Sequence, residues 1–213
     1  MRIFLSYSNM DKKLAGKIKS EFEKYYFTVF LAHDDISPSV EWIEKIIREL
    51  KRCHIFIPVL TNHFKNSDWT NQESGIAHIL KKMIVPLKIH INPYGFISRF
   101  QAFSLKPKAI VDSCNKLVLT LAERPKVGNF IRDSLVRRFG DSNSYDDAAS
   151  NAKALVRVKK YTRRQINQVI KHAVSNRQIH DSRRAMPIIL DFFRKNKKYI
   201  GTRLSKAFKA LGK

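Results

Sequence analysis

Short apolar runs and amphipathic stretches alternate through the first half of the chain. Ile3-Phe4-Leu5 is strand-like, and Leu14, Ile18 and Phe22 follow at helical spacing between Asp11 and Tyr25. Thr28-Val29-Phe30-Leu31 mixes β-branched and aromatic residues as strands do. A polar loop, AHDDISPS, comes next. In it Pro38 after Ser37 has the arrangement of a first-turn proline behind an N-cap. Val40, Ile43, Ile46, Ile47 and Leu50 then make a helical face. Ile55 to Leu60 is apolar throughout, the pattern of a strand covered on both faces. The stretch from about Ser67 to Lys82 predicts a helix, Ile84 to Ile89 a fourth strand, and Ala109-Ile110-Val111 a weaker fifth. This alternation predicts a parallel sheet with helices on both faces. Right-handed crossovers make it a flavodoxin-like, doubly wound, five-stranded α/β sheet, whose sites lie at the carboxyl ends of the strands.

Beyond about residue 125 the strand signals stop. Phe130 to Phe139 is amphipathic, and Gly140 to Ser144 is a loop. Thr162 with Gln165 forms a capping box that opens a helix running to about Val174. Its apolar face is Ile166, Val169, Ile170 and Ala173. Ile188, Ile189, Phe192 and Phe193 mark another helix, with Pro187 near its start, and LSKAFKALGK is a short basic amphipathic segment. The expected organisation is an α/β domain over 1–125 and an all-helical extension over 126–213.

Charge separates the same two parts. The 213 residues carry a net charge of +23. Residues 1–125 hold 19 Lys and Arg against 12 Asp and Glu; residues 126–213 hold 22 against 6, a net of +16. Such a surplus attracts anions: nucleic acid, an anionic membrane surface or a phosphate-bearing ligand. Solvated faces of a helical bundle are the plainer account. The two cysteines, Cys53 and Cys114, make neither a disulfide framework nor a metal spacing. The N-terminus lacks signal-peptide character and no apolar run is long enough for a bilayer span, so a cytoplasmic protein without a membrane span is expected.

Several catalytic signatures are missing. The seven glycines form no GxGxxG or P-loop, there is no GxSxG or HExxH, and the seven histidines show no ligand spacing. No metal site is expected. Asp34 and Asp35 follow a strand, where functional residues often lie, but a solvated acidic turn explains them as well. Phe30 and Trp42 could line a pocket, but core packing is the default reading for both. Glu73 lies four residues after Trp69 near the start of a helix, where a glutamate is usually a surface carboxylate.

Four stretches in order change the weight of Glu73. Phe4-Leu5-Ser6-Tyr7-Ser8 with Asp11 resembles the opening box of TIR (Toll/interleukin-1 receptor) domains. Val29 to Ile36 resembles their second strand and BB loop. Ser67-x-Trp69-x-x-x-Glu73, followed by Gly75 and Ala77, resembles their third-helix motif, and Ile84-Val85-Pro86-Leu87 the strand after it. The resemblance covers about residues 1–125 and is nearest to prokaryotic, NAD⁺-consuming TIR proteins. It implies cleavage of the nicotinamide–ribose bond of NAD⁺, as substrate and not cofactor, giving ADP-ribose or a cyclic isomer. It also implies a role as producer of a diffusible signal in antiviral defence. Glu73 matches the catalytic glutamate. Trp69, Phe30, Ser6, Tyr7 and Ser8 match the substrate border. Asp34, Asp35, Ile36 and Pro38 fall in the BB loop, through which such domains self-associate. Rival readings are a non-enzymatic TIR scaffold, a nucleic-acid-binding regulator acting through the basic tail, and a nucleoside deoxyribosyltransferase.

Overall fold

In the computed structural model, residues 1–32 and 42–211 are described. The elements of the first part are β1 (Arg2–Ser6), α1 (Lys12–Glu23), β2 (Thr28–Leu31), α2 (Trp42–Arg52), β3 (Ile55–Leu60), α3 (Asn62–Lys65), α4 (Asp68–Ile79), β4 (Met83–Ile84), β5 (Leu87–Lys88), β6 (Phe103–Ser104) and α5 (Ile110–Ala122). The strands run β2-β1-β3-β5-β6 across the sheet, β4 also pairs with β3, and every pairing is parallel. β4 and β5 are two pieces of one strand position parted at Pro86, which has no N–H to give the ladder. Val85 N still donates to Phe56 O at 2.9 Å, so the strand path continues. The sheet therefore has five positions, in the doubly wound order expected.

The apolar alternation explains the two faces. Phe4 of β1 and Phe56 of β3 point to one side and stack at 5.7 Å, in a cluster with Ile46 and Leu50 of α2 and Ala77 of α4. Fully burying a side chain of this size contributes about 1.5–3 kcal/mol. Ile3, Leu5, Ile57 and Val59 alternate with them and face the other way. Right-handed crossovers in this strand order put α1 on the side opposite α2 and α4. On that side Tyr25, just past α1, donates through its hydroxyl to Asn115 Oδ1 of α5 at 2.6 Å.

The fifth strand is not where the apolar run placed it. Ala109-Ile110-Val111 belongs to the start of α5, and the edge strand is Phe103–Ser104. Ile110 heads a helical repeat that continues through Cys114, Leu117, Val118 and Leu121, the last four all buried, while Val111 is exposed. Pro107 opens the turn that leads into this helix. The edge strand pairs over only two residues, too few to write a period-2 pattern. The expected helix entry at Ser37, Pro38 and Val40 lies outside the described residues.

The chain divides into two compact units, 1–117 and 118–213. The division falls inside α5, whereas the charge changes near Pro125. The second unit contains α6 (Gly128–Gly140), α7 (Tyr145–Val156), α8 (Arg163–Ser175), α9 (Arg177–His180), α10 (Met186–Asn196) and α11 (Thr202–Ala210). Its core gathers Phe139, Ile166, Val169, Ile170, Ile189 and Phe193. The capping box at α8 is present: Thr162 Oγ1 accepts from Gln165 N, and Gln165 Oε1 from Thr162 N. Gly128 sits where a Cβ would collide with the carbonyl of Ala122, so α6 starts only with glycine there.

Two substitutions test these local arguments. Thr162→Ala should destabilise the protein by about 1 kcal/mol, read as a lower urea midpoint at constant slope. Lys81 ends α4 in the left-handed region at φ 51, with Lys82 N donating to Ala77 O at 3.0 Å in a Schellman-like turn. Lys81→Gly should therefore raise the midpoint, by the equivalent of about 1 kcal/mol.

Candidate active site

Helix α4 is fixed at its start by polar side chains. Thr61, at the end of β3, caps α3 by accepting from Phe64 N at 3.0 Å. Thr70 Oγ1 donates to Phe64 O at 2.6 Å and to Ser67 O at 2.9 Å, which stitches α3 to α4. The buried stripe of α4 is Thr70, Glu73, Ser74 and Ala77. Glu73 thus faces inward because of its phase on the helix, between apolar and small neighbours. Trp69, one turn earlier, shares its side.

Ser6 meets Glu73 from the sheet. Ser6 ends β1 at the carboxyl edge and lies two residues past Phe4, so it points to the α4 side of the sheet. Its hydroxyl donates to Glu73 Oε2 at 2.5 Å. Glu73 is 1% exposed, and its Oε1 has no hydrogen-bond partner among the described residues. Burial pushes the carboxyl up to about 8, against the opposing pull of the Ser6 hydrogen bond. A carboxyl in this state is largely protonated at neutral pH.

The aromatic candidates divide. Trp69 is 37% exposed and packs edge-to-face on Trp42, with ring centroids 4.0 Å apart at 82°. Trp42 is the first residue of α2 and, like Phe30, packs against the core cluster. Phe30 pairs in register with Phe4, and their rings lie 5.2 Å apart on the same sheet face as Ser6. Of the Ser6-Tyr7-Ser8 run, Ser6 supplies the hydrogen bond to Glu73. Tyr7 is completely buried, and Ser8 closes a turn by accepting from Asp11 N at 2.7 Å. The structure therefore brings Ser6 and Glu73 together, puts Trp69 on the same helix face and Phe30 on the same sheet face, and makes Tyr7 part of the core. Asp34, Asp35, Ile36 and Pro38 lie outside the described residues.

Thr61 and His63, which no motif singled out, form a polar cluster with Asp11 at the same edge. Asp11 accepts from the Thr61 hydroxyl at 2.5 Å through Oδ2 and lies 3.1 Å from His63 Nδ1 through Oδ1. It ties the loop after β1 to the loop after β3. Thr61 directly before Asn62-His63-Phe64 is an N-cap signal that marks this turn. Burial pushes the Cys53 thiol up to about 11 and the Cys114 thiol up to about 12, so neither is a poised nucleophile. Among the described residues no three His, Cys, Asp or Glu side chains converge as metal ligands do, and no helix is long and apolar enough to cross a membrane.

A five-position parallel sheet in this order, flanked by helices, defines a doubly wound α/β domain. The family described as TIR domain matches residues 3–118. The chain belongs to the TIR domain family. Among solved structures it is similar to the TIR domain of the Toll-related receptor TRR-2 from Hydra magnipapillata, at 16% identity and a TM-score of 0.45, over 62% of this chain and 96% of that one. No curated protein matches the chain.

The raised Glu73 carboxyl has a consequence for stability. Its folded-state value of about 8 lies above the ordinary 4.5. Between these limits the folded protein holds a proton that the unfolded chain has released. The stability tied to that proton is complete below about pH 4.5 and is lost as pH rises to about 8. Glu73→Gln, always neutral, escapes the loss. Its melting temperature should exceed that of wild type by a margin that widens from pH 5 to about 8 and then levels, in thermal melts across that range.

Proposed function

We propose that this TIR domain cleaves NAD⁺ at the nicotinamide–ribose bond, with Glu73 as the catalytic carboxylate. The observation that carries the reading is the Glu73 carboxyl itself: buried at the carboxyl edge of a parallel sheet, held at one oxygen by Ser6, with the other oxygen buried and without a hydrogen-bond partner among the described residues. Functional carboxyls are often found in such costly positions.

The chemistry suits one carboxylate. Nicotinamide in NAD⁺ is a cationic leaving group and departs without a general acid. The bond breaks through an oxocarbenium-like ribose, as in glycoside cleavage. A carboxylate beside the ribose holds its hydroxyls and stabilises the developing charge. Water then captures the cation to give ADP-ribose, or an internal nucleophile closes a cyclic isomer. The substrate's positive charge favours ionised Glu73, so binding releases a proton. Trp69 and Phe30 supply flat apolar surface for the rings of the nucleotide, and Ser6 keeps the carboxyl oriented. In this reading several copies assemble through TIR–TIR contacts, and the protein works in the cytoplasm, where NAD⁺ is abundant, as a source of a defence signal.

Purified protein at high concentration, incubated with NAD⁺, should release nicotinamide. Chromatography with mass detection then separates ADP-ribose from its cyclic isomer. Glu73→Gln should lower the rate by about 10²–10³-fold, the scale of losing one electrostatic stabiliser of a transition state. Wild type and variant equally inert under crowded conditions would overturn the reading in favour of a scaffold. The pH profile supplies a further check. The kcat/KM of wild type should rise with pH towards a plateau above about 8, since free Glu73 must lose its proton. Ser6→Ala removes the hydrogen bond that holds the carboxyl down, so its rising limb should move to higher pH.

A further inference from the structure

The positive charge of residues 118–213 is not neutralised within that unit. It holds 23 Lys and Arg against 7 Asp and Glu. All seven acids are already engaged. Asp133 accepts twice from Arg164, at 2.7 and 2.8 Å. Asp141, Asp181 and Asp191 pair with Arg137, Arg177 and Lys195 one helical turn away. Asp146 pairs with Arg184. Asp147 accepts from Asn143 N and Asn151 Nδ2, and Glu123 from Lys159 N. That leaves a surplus of 16 cations, 23 less 7. Their mutual repulsion opposes folding until something anionic relieves it.

Some of these cations border a concave patch of about 550 Å³ between the outer side of α8 and the start of α11, lined by Arg163, Arg164, Asn167, Lys171, Gly201 and Leu204 among others. The wall is fixed by Asn167. Its Oδ1 accepts from Gly201 N at 3.0 Å, and its Nδ2 donates to Tyr199 O at 2.7 Å. Arg163 and Lys171 stand eight residues apart on one helix, roughly 12 Å along its axis. A strand of duplex DNA presents a phosphate about every 3.4 Å of axis, so this row matches a run of roughly three or four phosphates.

The chemistry of the patch selects among polyanions. Stable seating on a membrane surface takes an apolar flank beside the charge. The apolar side of α11 is turned inward instead, where Phe208 is buried against Phe193 at 4.8 Å. Single-stranded nucleic acid is held largely by aromatic stacking, and no aromatic side chain lines the patch. We propose that the helical unit docks the phosphate backbone of a nucleic-acid duplex across this patch, with Arg163 and Lys171 as phosphate contacts. Contacts of this kind position a duplex without reading its sequence. The proposal is independent of NAD⁺ cleavage.

The test uses the full chain and a labelled mixed-sequence DNA duplex of about 20 base pairs, followed by fluorescence anisotropy between 50 and 200 mM KCl, ordinary limits for such titrations. The double variant Arg163→Gln/Lys171→Gln is compared with Lys13→Gln/Lys17→Gln, which removes the same charge from exposed positions of α1. Melting temperatures of all three proteins establish that they are folded. Wild type should bind with log K falling linearly against log salt. The α8 variant should lose at least tenfold in affinity at the lower salt, with a slope shallower by about 2, near 0.9 for each lost phosphate contact. The α1 variant should match wild type. Equal weakening in both variants would overturn the proposal, since net charge alone would then explain binding. So would stronger competition by single strands of the same length or by phosphatidylserine vesicles, or absence of duplex binding at 50 mM KCl, a low salt for such complexes.

Discussion

The Ser6–Glu73 hydrogen bond is the constraint around which the TIR domain is organised. A carboxyl with almost no solvent exposure costs several kcal/mol if it must carry a charge. One hydroxyl returns only about 1.5–3 kcal/mol to a charged acceptor. The protein keeps the group by leaving it protonated, and that works only while β1 and α4 stay in register with each other. Ser6 is the last residue of β1 and Glu73 sits on the second turn of α4. A small slip of either element would exchange this hydrogen bond for a second orphaned oxygen.

Other interactions at the sheet edge make sense as supports of that register. Asp11 couples the exits of β1 and β3 through Thr61 and His63. Thr70 anchors the first turn of α4 to the preceding bend. At the far end, Lys82 Nζ donates to Lys51 O at 2.6 Å and Cys53 O at 3.0 Å, so the residue that follows the α4 turn also closes the end of α2. Each link alone is modest, near 1 kcal/mol for a neutral hydrogen bond and more for a charged one. Together they hold both ends of the helix that presents Glu73, while the Trp69–Trp42 contact joins it to the start of α2.

How much of this was legible in the chain depends on how strongly each segment writes its pattern. Ile55 to Leu60 is apolar at every position because β3 is covered on both faces, and it was readable at once. Thr162 and Gln165 spell a cap that does not depend on tertiary context. Phe103–Ser104 writes almost nothing, since two paired residues at an edge need no alternation, and the β-branched pair Ile110-Val111 drew the strand assignment instead. Helix α7 went unrecognised for a related reason. Its buried stripe is Ala148, Ala149, Ala152 and Leu155, so alanines carry the period with little hydrophobic contrast. The Ser144 cap, which accepts from Asp147 N at 3.1 Å, was the available signal. In the site, the glutamate and its tryptophan were found through family resemblance, because local sequence cannot distinguish a buried glutamate from a surface one. That Tyr7 is core, and that Ser6 is the partner of Glu73, follow from strand phase only once the pairing of β1 is known.

The protonated resting state of Glu73 fits a cationic substrate on energetic grounds. A unit positive charge about 4 Å from a carboxylate, at the effective dielectric of about 20 that suits such sites, is worth about 4 kcal/mol. A carboxyl lying at about 8 in the free protein is lowered by such a charge, which favours its ionised form. In the proposed reaction the nicotinamide cation of NAD⁺ would supply that charge before bond cleavage, and the ribose cation afterwards. The carboxylate would thus appear only when a cation is present to be stabilised, and the cost of a bare buried charge would be confined to the occupied site. A neutral or anionic ligand offers no such compensation. The same burial that raises the carboxyl therefore favours a substrate carrying positive charge at the reacting carbon.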